Sequence, residues 1–180
     1  MRPGAGEDKI MANLTFDIGD KVVYPGQGVA EIIAISEKDV GGFKLKFYEL
    51  RLLETDVKIM VPVRKAQQVG LRNLISTEEL DSLLTLLRKR DIVFDKQAWN
   101  RRYRTFVEKV KSPNASDVAE VFRDLSILKH QKELSFGEKR MLEQAQNLLV
   151  QEIALVRDIP KEEATALLDD QFEDLGPLPE

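Results

Sequence analysis

The chain has 180 residues, 43% of them hydrophobic and 32% charged, a folded composition with room for one ordinary domain or two small ones. It has no cysteine and a single histidine, His130, which excludes disulfides, thiolate zinc sites and cysteine nucleophiles and leaves little for imidazole chemistry. The net charge of −4 hides two opposed regions: Arg88 to Lys111 holds nine Lys/Arg against three Asp/Glu, a net of +6, and Lys161 to Glu180 holds one Lys against seven acids, a net of −6.

No apolar run approaches the ~20 residues of a membrane span, and the opening MRPGAGEDKI lacks the apolar core of a signal peptide, so a cytoplasmic setting is expected. Residues 1–13 are Gly- and charge-rich without periodicity and read as a disordered leader, with Met11 an alternative start. From Phe16 to about Val69 the pattern is strand-like. KVVY, VAEIIAIS, FKLKFYELRLL and VKIMVPV are rich in β-branched and aromatic residues, and they are separated by turn signals at Pro25-Gly26-Gln27-Gly28, Gly41-Gly42 and Glu54-Thr55-Asp56. Four or five short strands without intervening helix predict a small antiparallel barrel of the SH3 or Tudor kind over 14–70.

After Gly70 the period becomes helical, predicting an all-α domain of about five helices over 76–174 and a frayed tail over 175–180; the fold class is α+β. Ser76 and Glu79 form a capping box ahead of Leu80, Leu83, Leu84 and Leu87. A second helix is predicted from about Lys96 to Lys111, with Trp99, Tyr103, Phe106 and Val110 on one stripe, broken by Ser112-Pro113-Asn114. A third starts near Ser116 and carries Val118, Val121, Phe122, Leu125 and Leu128. A second capping box, Ser135 with Glu138, opens a long helix through Glu152, and Pro160 suits the first turn of a last helix ending near Phe172.

Two surfaces stand out. Along Val57 to Arg64 strand alternation puts Val57, Ile59, Val61 and Val63 on an inner wall and Lys58, Met60, Pro62 and Arg64 outside. Proline cannot donate to a neighbouring ladder, so Pro62 marks an edge strand that could accept a strand from another protein; alternatively Met60 is one more exposed apolar residue. The second surface is Trp99-Asn100-Arg101-Arg102-Tyr103-Arg104, which pairs phosphate-binding arginines with an aromatic wedge suited to a minor groove. Two readings of Trp99 stand: a core residue on the helix stripe, or a side chain projecting from the first turn. Lys139 and Arg140, in the first turn of the long helix, offer a further anion contact or a solvated charged face.

Other features are bland. Pro25-Gly26-Gln27-Gly28 lacks the spacing and lysine of a P-loop, His130 is placed to cap helix carbonyls, and Glu78-Glu79 and Glu162-Glu163 offset helix dipoles. No catalytic constellation emerges, and no cofactor, metal or small-molecule substrate is expected.

FDIGDKVVYPGQGVAEI, the IMVPV strand followed by VGLRNLIS, WNRRYR, AEVFRDL and LSFGEKRMLEQAQNLLVQEIAL resemble, in order and spacing from about Phe16 to Phe172, the CarD/CdnL family of bacterial transcription regulators. The resemblance is to the CdnL type rather than to the large repair-coupling factor, which shares only the β module. It implies a Tudor-like module that adds its edge strand to the RNA polymerase β subunit, with contact positions falling on Lys38, Met60 and Pro62. It also implies a helical domain that contacts promoter DNA at the upstream edge of the transcription bubble. There Trp99 would be the minor-groove wedge, with Arg101, Arg102, Arg104 and Lys139 on the DNA backbone. Met60 stands where the family often has a basic residue, which favours an apolar contact with β. The alternative is a polymerase-bound adaptor whose helical domain recruits a protein instead of DNA.

Overall fold

A computed structural model describes residues 15–92 and 99–180, with side chains throughout except at Trp99 and Asn100. The chain divides into two compact units, Met1–Leu74 and Ile75–Glu180.

The first unit is an antiparallel sheet of β1 (Lys21–Tyr24), β2 (Gly28–Val40), β3 (Phe43–Leu52), β4 (Lys58–Pro62) and β5 (Arg72–Asn73), in the order β4-β3-β2-β1-β5. Its turns follow from local chemistry. Pro25 is followed by Gly26 at φ 78°, and Gln27 N–H donates to the Tyr24 carbonyl at 3.0 Å, the arrangement of a type II turn. Gly41 and Gly42 both take positive φ, 59° and 84°, which a two-residue hairpin between the paired Val40 and Phe43 requires. A bulge between Ile32 and Ala34 re-aims β2.

Phe16, Ile32, Tyr48, Leu50, Val61 and Leu71 belong to the core of this unit. The Tyr48 hydroxyl accepts from Phe16 N–H at 3.1 Å while the two rings meet edge to face.

The expected barrel is not closed. The sheet is open, with β4 and β5 as its edges. β5 has only two residues, and β4 stops at Pro62, where the chain turns through a 3-10 segment (Val63–Lys65) and a short helix α1 (Ala66–Val69) that the strand-like pattern did not announce. Too few backbone groups remain to join the edges. The inner wall is also shorter than the alternation implied. Val61 is buried and Ile59 and Val63 half-buried, but Val57 precedes the strand and is exposed.

The second unit contains, among the described residues, α2 (Thr77–Leu87), α3 (Trp99–Val110), α4 (Ala115–Gln131), α5 (Phe136–Arg157), α6 (Lys161–Asp169) and a 3-10 turn (Asp170–Leu175). Both capping boxes form. Ser76 accepts from Glu79 N–H at 3.0 Å and Ser135 from Glu138 N–H at 3.2 Å, each glutamate answering to the serine's N–H. Pro160 is the N-cap of α6, one position outside its expected place. The expected start of α3 at Lys96 lies outside the described residues.

Leu80, Leu87, Val110, Phe122, Leu125, Ala145, Ile153 and Leu168 share one core. Tyr103 does not join it. Phe106 and Val110 are buried, whereas Tyr103 is 41% exposed, so among the described side chains of α3 the core takes those toward its C-terminal end.

Candidate functional site

On the sheet, register places Ala34, Glu49 and Met60 on one face, and alternation carries Lys38 and Pro62 to the same face. Lys38 Nζ, reaching from β2, lies 3.4 Å from Met60 Sδ on the edge strand β4, and Pro62 follows Met60 on the same face. Arg64 leaves them. Expected on the same outer face, it sits in the 3-10 turn after β4, because the strand ends two residues earlier.

On the helical unit, Arg101 and Arg104 are exposed and Arg102 is half-buried, its Nε without a hydrogen-bond partner among the described residues. Trp99 is the first residue of α3; its side chain lies outside the described part of the structure. Tyr103 lines a shallow groove together with Phe136, Arg140, Met141, Gln144 and Asn147 of α5. The Arg140 guanidinium carbon stands 5.7 Å from the centroid of the Phe136 ring, within cation–π range.

Lys139 points elsewhere. Its Nζ is 3.5 Å from Glu133 Oε1, and it shares a second groove with Lys129, Lys132, Leu178 and Pro179. Adjacent residues on a helix point about 100° apart, so Lys139 and Arg140 serve different surfaces. At the N-terminus of α5 the buried carboxylate of Glu138 already accepts from Ser135 N–H at 2.8 Å, with Lys132 Nζ 3.3 Å away. Anion contacts there fall to side chains rather than to a vacant helix end.

The basic region is smaller than its sequence count. Arg90 donates to the Leu87 and Gln171 carbonyls and to Asp174, and it lies over the Phe172 ring at 5.0 Å. Arg88 donates to Gln171 Oε1, and Lys109 pairs with Glu120 at 2.7 Å. These three cations hold the fold.

Phe136 was missed in the sequence although it is 76% exposed. The available signal was its place directly after the N-cap Ser135, off the stripe of Met141, Ala145 and Leu149. His130 Nδ1 lies 2.8 Å from the Ser126 carbonyl oxygen, one turn back within α4 rather than at its last carbonyls. Among the described residues no group of His, Asp or Glu could hold a metal ion, and no helix is long and apolar enough to cross a membrane.

Residues 16–75 match the family model of the CarD-like/TRCF RID domain, and residues 82–169 match that of the CarD C-terminal domain. The candidate transcription factor YdeB of Bacillus subtilis is 30% identical over 150 residues, covering 82% of this chain and 96% of its own. Among solved structures, CdnLNt from Myxococcus xanthus is 50% identical over 34% of this chain and 87% of its own, with a TM-score of 0.31. The solution structure of the 72-residue N-terminal domain of Myxococcus xanthus CarD is 43% identical over 33% and 80%, with a TM-score of 0.30.

A β module followed by a helical unit, each matched in order, defines a protein of the transcription-regulator type rather than of an enzyme family. The chain belongs to the CarD/CdnL family.

Proposed function

We propose that this protein binds the RNA polymerase β subunit through β4 and stabilises promoter open complexes by contacting DNA at the upstream edge of the transcription bubble. The observation that carries the DNA contact is the surface where the exposed part of α3 meets the start of α5. Arg140 lies there with the exposed rings of Tyr103 and Phe136, and Arg101 and Arg104 are exposed on the same α3, cations near aromatics as distorted DNA requires. The docking half is supported by the place of β4 at a free sheet edge, with Met60 exposed beside Pro62.

In this mechanism Trp99 props the minor groove at the fork, the arginines hold phosphates, and bubble collapse slows because the protein binds the open state better than the closed one. A preference of 1.4 kcal/mol shifts that equilibrium about tenfold, and one stacked base contributes ~1–3 kcal/mol. Free DNA is bound weakly. Few phosphates are contacted and the chain is net acidic, so tethering to polymerase supplies the effective concentration.

The test is the lifetime of promoter open complexes of bacterial RNA polymerase with wild-type protein and with Trp99→Ala. Wild type is expected to lengthen the lifetime, and the folded variant to leave it near the value without protein. An unchanged lifetime with wild type bound to β would replace this reading by the adaptor, in which the helical unit recruits a protein.

A further inference from the structure

β4 ends where Pro62 removes a backbone donor, but β3 does not end with it. β4 pairs with β3 only from Phe47↔Pro62 to Arg51↔Lys58, while β3 runs on to Phe43, paired with β2 along its other side. After Pro62 the chain turns away into Val63–Lys65. Among the described residues no strand pairs with Phe43, Lys44, Leu45 and Lys46 on the β4 side, so the sheet edge has a step there.

A cavity of about 230 Å³ opens at this step, lined by Lys44, Leu45, Lys46, Pro62, Arg64 and Gln67 among others. It is smaller than the ~300–1,000 Å³ of small-molecule sites, the size of a side chain rather than of a cofactor. Its cations are Lys44, Lys46 and Arg64, all exposed; no acidic side chain lines it, and none of the three forms an ion pair among the described residues. The acids that register brings near, Asp39 opposite Lys44 and Glu37 opposite Lys46, belong to β2, on the side of β3 away from the open edge. Leu45, Pro62 and Val63 supply apolar lining.

We infer that this cavity receives an acidic side chain from the extended segment that adds to β4, so that the partner strand is anionic at the end that passes Pro62. A strand laid along β4 and continued past Pro62 runs within about two strand spacings, ~4.8 Å each, of the free β3 edge, within reach of long lysine and arginine side chains. A peptide fits better than a nucleic acid here, because the charges flank β3 backbone groups that no strand pairs among the described residues, and such groups pair with another backbone. The inference rests on the reading that β4 docks on polymerase, and it adds residues and a charge preference that the edge strand alone does not carry.

The test is binding of the full chain to DNA-free core RNA polymerase from low to high salt, for wild type, Arg64→Glu, the double variant Lys44→Glu/Lys46→Glu, and Met60→Asp. Arg64→Gln and Lys46→Gln serve as milder variants, with circular dichroism to confirm folding. Each charge-reversal variant is expected to bind about tenfold more weakly at low salt with a flatter salt dependence, the milder ones less so. Charge variants that bind like wild type, with the same salt dependence, while Met60→Asp does not bind, would overturn the inference and leave β4 docking intact. If wild type itself fails to bind core polymerase, the docking reading falls and the inference with it.

Discussion

Arg90 and Asp174, 84 residues apart, form a two-armed ion pair, with Nε to Oδ2 at 3.0 Å and a terminal nitrogen to Oδ1 at 2.8 Å. The same guanidinium donates to the Gln171 carbonyl at 2.6 Å and to the Leu87 carbonyl at 2.7 Å. The end of α2 is thereby tied to the acidic C-terminal segment. Arg90→Ala leaves part-buried carbonyls without a donor and is expected to cost about 2–3 kcal/mol in urea unfolding. Arg90→Lys is expected to recover little of it, since an ammonium cannot reproduce the fork.

Two carboxylates give stability a pH dependence of opposite sign. The hydrogen bond from Arg90 holds the Asp174 carboxyl below the usual carboxylate range. Its contribution is full above that range and is lost as pH falls through the folded-state value; for so exposed a pair it is less than about 1 kcal/mol. Thermal melts should show wild type above Asp174→Asn at neutral pH, with the gap closing in acid. Burial pushes the Asp124 carboxyl up, against the opposing pull of Arg123. Wild type should therefore gain on Asp124→Asn as pH falls through that raised value.

Helix α3 should separate core from surface. Phe106 is 8% exposed, and Phe106→Ala is expected to destabilise the helical unit by about 3–5 kcal/mol. On α5 the exposed Phe136 carries no core role, so Phe136→Ala should change stability by no more than about 0.5 kcal/mol. It should nevertheless shorten open-complex lifetime, as should Arg140→Gln. Unfolding midpoints set beside lifetime measurements check both.

In the β unit, Tyr48→Phe keeps the ring against Phe16 but removes the acceptor of the Phe16 N–H. A loss of about 1–2 kcal/mol in urea unfolding is expected, with little change in polymerase binding because Tyr48 is buried.

Much of the architecture was legible because it depends on neighbours in the chain. The capping boxes at Ser76 and Ser135, the paired positive-φ glycines at 41 and 42, and the proline that marks β4 as an edge are all set within a few residues. Lys38, proposed from the family resemblance, and Met60, read from strand alternation as well, lie close enough for a 3.4 Å contact, yet 22 residues separate them and only the register of β2, β3 and β4 brings them together.

What the tertiary structure decided lies where distant segments compete for the same space. The strand pattern could not say that a two-residue β5 and a β4 ended by Pro62 leave the sheet open, since closure depends on strand lengths measured against each other. Nor could helical spacing say that Tyr103 stays in solvent while Phe106, three residues on, is buried. The stripe is the same, and only the extent of the packed core along α3 separates them. The sequence by itself determined the main strands and helices, the two capping boxes, the edge and the family. The long-range packing determined which charges remain free: Arg88, Arg90 and Lys109 are held by residues of α4 and the C-terminal segment, while Arg101, Arg104 and Arg140 stay exposed. A charge is available to a partner only after the fold has taken those it needs.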